Sequence, residues 1–127
     1  MNTKRSSNGA AFLVLLLLQS PAFAEEITEQ GVSVRLSITV NSLSSYRVFL
    51  ENCSAPSEDV RGEFLDLMKK HSAFNLEQMS IYVDGGYSVA RDLHSPDCKP
   101  SDMAFWQKAY QADRDHLLDT LREFYQQ

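Results

Sequence analysis

The chain has 127 residues, 43% of them hydrophobic, with 12 Lys and Arg against 17 Asp and Glu and a formal net charge of −5. That length supports one domain around one core. The acidic balance argues against a nucleic-acid binder, which needs basic residues to neutralise phosphates, and against adsorption to an anionic lipid surface.

The first stretch reads as a secretory signal peptide over residues 1–24. Lys4 and Arg5 make a basic start, Ala10 to Leu18 is a short apolar run, and Ala22-Phe23-Ala24 is a small-x-small cleavage site. The apolar run is well short of the roughly 20 residues that span a bilayer. The expected mature domain is 25–127, placed in the periplasm of a Gram-negative bacterium or secreted. Its ten remaining Lys and Arg against seventeen acids leave a net charge of −7.

The segment from Thr28 to Asn52 carries two patterns at once. Val32, Val34, Leu36, Ile38 and Val40 alternate with polar residues, as in a strand. Val32, Leu36, Thr39, Leu43, Tyr46, Leu50 and Cys53 recur at steps of three and four, as on one helix face. The helical repeat explains the whole segment and the alternation only nine residues, so the spacing favours a helix. A turn at Ser54–Ser57 follows. Ser57 is the expected cap of a second helix, whose inner face is Val60, Phe64, Leu67, Met68 and His71.

Asn75, with Gln78 three residues on, marks the start of a third helix running to about Leu93. Asp84-Gly85-Gly86 interrupts it, at a cost of roughly 2 kcal/mol relative to alanines. The competing reading is a hairpin around that turn. Joined to Val32–Val40, it would give an α+β fold with a small three-stranded sheet. After a connector holding Pro96 and Pro100, Ser101 is the expected cap of a last helix. Its inner stripe is Met103, Trp106, Tyr110, Leu117, Leu121 and Phe124, interrupted by Asp113.

The preferred fold is therefore all-α, a four-helix up-down bundle with one disulfide. Export would place Cys53 and Cys98 in an oxidising compartment, where two cysteines most simply pair. The topology agrees, because the first and third helices point the same way and both cysteines then lie at one end.

Chemistry-bearing patterns are sparse. His94 and Cys98 stand four apart with Asp92 and Asp97 nearby, but the prolines break regular spacing and a disulfide occupies the cysteine. No nucleophile elbow or phosphate-cradling loop is present. No metal, cofactor or catalytic residue is expected. A groove for a partner protein is expected instead at Gly85 and Gly86, flanked by Tyr82 and Tyr87 and faced by Trp106 and Tyr110 of the last helix.

The signal peptide, a first helix ending Val48-Phe49-Leu50-Glu51-Asn52-Cys53, a capped second helix and a second cysteine before the last helix together resemble the pilotin family of type II secretion and its soluble periplasmic relatives. The resemblance covers Ser45 to Cys98. It implies a small disulfide-bonded helical bundle that binds a terminal helix of a secretin subunit. This chain differs in lacking a lipid-anchoring cysteine after the signal and in its longer last helix. The expected role is a non-enzymatic, chaperone-like binder of another protein, either basic or presenting an amphipathic helix. An immunity protein or inhibitor of a toxin or cell-wall hydrolase is the first alternative, and an acid-stress holdase the second.

Overall fold

The computed structural model describes residues 26–53 and 59–127. It contains four helices: α1 (Glu29–Cys53), α2 (Val60–His71), α3 (Leu76–Leu93) and α4 (Pro100–Gln126). No strand occurs among the described residues, so neither Val32–Val40 nor Ser80–Ala90 pairs into the alternative sheet. The expected signal peptide lies outside the described residues.

Helix starts follow local capping, with two departures from the sequence expectations. The Asn75 side chain accepts from the Gln78 N–H at 3.0 Å, as the spacing predicts. Helix α2 is capped by Asp59, whose Oδ1 accepts from Gly62 N–H at 2.8 Å, while Ser57 lies outside the described residues. Helix α4 starts one residue before the expected cap Ser101. Lys99 takes the N-cap position without a side-chain bond, and Pro100 fills the first turn, where a missing N–H costs nothing.

The core gathers the predicted stripes. Val32, Leu36, Leu43 and Tyr46 of α1 meet Phe64 and Met68 of α2, Met79 and Val83 of α3, and Tyr110, Leu117 and Leu121 of α4. Leu50, Trp106 and Phe124 are only partly buried against it.

Helix α1 is the hub. It packs antiparallel on α4, from Ile27 beside Gln127 to Tyr46 stacked on Tyr110. Its other flank packs on α3, α2 touches all three, and α3 and α4 do not meet. The helices run up-down-up-down, yet the two consecutive helices α3 and α4 stand on opposite sides of α1. The connector 94–99 therefore crosses the C-terminal end of α1, and the Cys53–Cys98 disulfide fastens it there. Cys98 adopts φ 61°, a backbone that non-glycine residues rarely take.

Small polar residues let the neighbours come close to α1. Thr39 is fully buried and its hydroxyl lies within hydrogen-bond reach of two carbonyls, Arg35 O at 2.9 Å and Asp113 O at 3.1 Å. This is how the acid that interrupts the α4 stripe fits the interface: its backbone, rather than its carboxylate, makes the contact. On the α3 side, a Cβ at Gly86 would stand 2.8 Å from Ser44 Oγ and 2.9 Å from Val40 Cγ1. The close approach at Gly86 thus requires glycine.

Candidate functional site: an open three-helix face

Two stripes run along α1. Val32, Leu36, Thr39, Leu43 and Tyr46 face the core. The opposite stripe is Val34, Ile38, Asn41, Ser45 and Val48, again at steps of three and four. Its C-terminal half is buried. There the connector covers it, with His94 Nε2 at 2.9 Å from Ser45 Oγ and the imidazole edge-on to Phe49. Its N-terminal half is bare, with Val34 and Ile38 exposed.

The flanking helices extend this bare surface. On α3, Ile81, Val89 and Leu93 are 68%, 59% and 77% exposed, with Tyr82 beside them. Gly85 falls in the same i, i+4 row as Ile81, Val89 and Leu93, and nothing lies within 4 Å of the place where its Cβ would be. On α4, Phe105 is exposed and stands edge-on to Trp106, which is edge-on to His94. The outcome is a face of three helices with scattered large apolar side chains, bounded at one end by the His94–Trp106 pair. Single exposed apolar residues are ordinary on a protein surface, and here Val34, Ile38, Ile81, Val89, Leu93 and Phe105 are distributed over three neighbouring helices.

The six residues expected to form a groove are divided among four environments. Tyr82 and Gly85 belong to the open face, and Trp106 stands at its end. Gly86 is closed against α1. Tyr87 lies on the other flank of α3, where its ring carries the Arg47 guanidinium at 4.2 Å and its hydroxyl donates to Glu51. That bond and burial raise the phenol's pKa above its ordinary value. Tyr110 is in the core, and burial raises its phenol further. No groove joins α3 to α4, because α1 lies between them. Val34, Ile38, Ile81, Val89, Leu93 and Phe105 are not among the residues expected at a binding site from the sequence. The available signal was the apolar residues left over once each helix's inner stripe was drawn.

Beside Tyr87, Asp84 accepts from Arg61 through two bonds, at 2.7 and 3.0 Å, and from Arg47 at 3.5 Å. The Arg61 bonds hold the Asp84 carboxyl below the usual carboxylate range. This ties α2, α3 and α1 together on the side away from the open face. Among the described residues no group of three or more His, Cys, Asp or Glu is placed to hold a metal ion, and no helix is long and apolar enough to cross a membrane. No protein-family model, curated protein or solved structure matches the chain.

Proposed function

We propose that the protein is an exported, non-enzymatic binder that holds an amphipathic helix of another envelope protein on the α3–α1–α4 face, assisting that protein's assembly. The observation that carries this reading is the row Ile81, Val89 and Leu93 on α3, with Val34 and Ile38 on α1 and Phe105 on α4, all exposed, and open space where a Gly85 Cβ would stand. A helix laid on such a surface buries its own apolar stripe at i, i+3, i+4 and i+7. The pilotin-like layout supports the same kind of partner.

The partner helix should be basic on its polar side. The domain is acidic overall, Asp92 adjoins Leu93, and Asp102 lies one turn before Trp106. Charge complementarity of this kind steers encounter and fixes orientation more than it adds affinity.

The test is site-specific photo-crosslinking in cells, with the reactive side chain at Val89 and, as a control, at Lys70 on α2. The expected result is one adduct at Val89, mapping to a basic amphipathic segment of an envelope protein, and none at Lys70. Equal yields at both sites, or an adduct to a non-helical segment, would overturn the reading.

A further inference from the structure

The connector between α3 and α4, residues 94–99, lies across the C-terminal end of α1 and is held there at two points. At the first, His94 Nε2 stands 2.9 Å from Ser45 Oγ, and the imidazole is edge-on to both Phe49 and Trp106. At the second, Cys98 is bonded to Cys53. Between these points, among the described residues, the chain makes no backbone-to-backbone hydrogen bond, and the Asp97–Lys99 ion pair is internal to the connector. A segment with so few ties opens more readily than the helices it joins.

The Cys98 end is the strained one. Among the described residues Cys98 alone has a positive φ, 61°, a conformation that crowds the side chain against the following carbonyl. The chain on either side is extended, with His94 at φ −103° and ψ 139° and Lys99 at φ −70° and ψ 133°. Cys98 is also exposed, so a thiolate from solution can reach it. Exposed or strained disulfides are the ones that exchange. What lies under the connector continues the open face. Phe49, with Ser45 one turn before it, extends the bare stripe of Val34 and Ile38 along α1, and these two are only 6% and 4% exposed.

We propose that the connector is a redox-released strap: reduction of the Cys53–Cys98 bond frees it from α1 and lengthens the apolar face. The reductant is a dithiol. One of its thiolates attacks Cys98 Sγ and forms a mixed disulfide, while Cys53 leaves as a thiolate and takes up a proton. The second sulfur of the dithiol, as thiolate, then attacks the first, and Cys98 leaves and is protonated in turn. The protein gains two electrons and two protons, and the dithiol becomes a disulfide. Cys98 is then free to return to negative φ, and the connector, tied only at His94, lifts. No connector residue belongs to the core, so the four helices stay packed. Lifting removes the imidazole that stands between Phe49 and Trp106. The bare stripe then runs from Val34 to Phe49, about 22 Å of helix. The inference concerns the opening itself and does not depend on what docks on the face.

The test treats the purified disulfide-bonded protein with dithiothreitol in the absence of denaturant. Alkylation and mass measurement should show both cysteines free while the helical circular dichroism is unchanged. Nitrogen-15 relaxation should show the order parameters of Ser95, Asp97 and Cys98 falling from the rigid range of about 0.85 to below about 0.6. An apolar dye that brightens on binding should gain about threefold or more in emission as the stripe is uncovered. The Cys53→Ser/Cys98→Ser variant should reproduce the reduced state without any reductant. A bond that stays closed until denaturant is added would overturn the proposal. So would loss of helix on reduction, which would make the bond a staple of the whole fold. Unchanged connector order parameters in the reduced protein, or in the folded double variant, would overturn it as well.

Discussion

Gly86 of α3 and Ser44 of α1 meet so closely that a methyl group on Gly86 would stand 2.8 Å from Ser44 Oγ. Its neighbour Gly85 points into open space. Two adjacent glycines in one helix therefore have opposite meanings. Gly85→Ala should stabilise the protein by about 0.5–1 kcal/mol through helix propensity alone. Gly86→Ala should destabilise it by about 1–3 kcal/mol, because two helices must separate. Urea unfolding of both variants checks the pair, and similar midpoints would show that the close approach is unimportant.

The disulfide closes a loop of 45 residues. Replacing both cysteines by serine should cost about 4 kcal/mol by the chain-entropy account, seen as a lower denaturation midpoint. The loss should also register in Trp106 fluorescence, because Trp106 packs on His94 of the connector that the bond fastens. A fluorescence spectrum unchanged in the folded double variant would mean that the connector holds its place without the bond.

The Asp84–Arg61 pair gives a pH signature. The folded-state pKa of Asp84 lies below its unfolded value because of Arg61. The pair therefore contributes stability above the ordinary carboxylate pKa of about 3.9, and this is lost as pH falls through the lower folded value. Asp84 is half-exposed, so solvent screening keeps the contribution small. Asp84→Asn should be less stable than the parent near neutral pH and indistinguishable from it once Asp84 is protonated in both states. Chemical denaturation at several pH values tests this, and a constant difference would assign the effect to something other than charge.

Val89→Glu and Leu93→Glu should leave stability within about 0.5 kcal/mol of the parent, as exposed substitutions do. If the open face is the docking surface, both should abolish crosslinking of the partner helix through a probe at Ile81. Retained crosslinking in the double variant would move the interaction elsewhere.

The ambiguity of α1 in the sequence now has a physical reason. Its strand-like alternation arises because Val34 and Ile38 are apolar although they face away from the core. Remove them and only the helical repeat remains. The residues that confused the secondary structure are those of the open face. The inner stripes were legible because burial follows the period of 3.6 residues. The division of the six groove residues was not, because it depends on helix order around the bundle, which periodicity does not encode. With α1 placed between α3 and α4, Tyr110 and Trp106 could not face Gly85. The missed capping by Asp59 and the early start at Pro100 are single-residue choices among adjacent good candidates.

The disulfide has a consequence for how the chain assembles. The most extensive packing joins the first and last helices, so forming it by diffusion requires closing a loop through α2 and α3. Once Cys53 is bonded to Cys98, the end of α1 is one covalent step from Lys99 and Pro100, where α4 begins. In the oxidised chain the bond serves as the loop of a helical hairpin. The most distant pairing becomes a nearly local one, and folding from the oxidised unfolded state should be faster as well as more favourable.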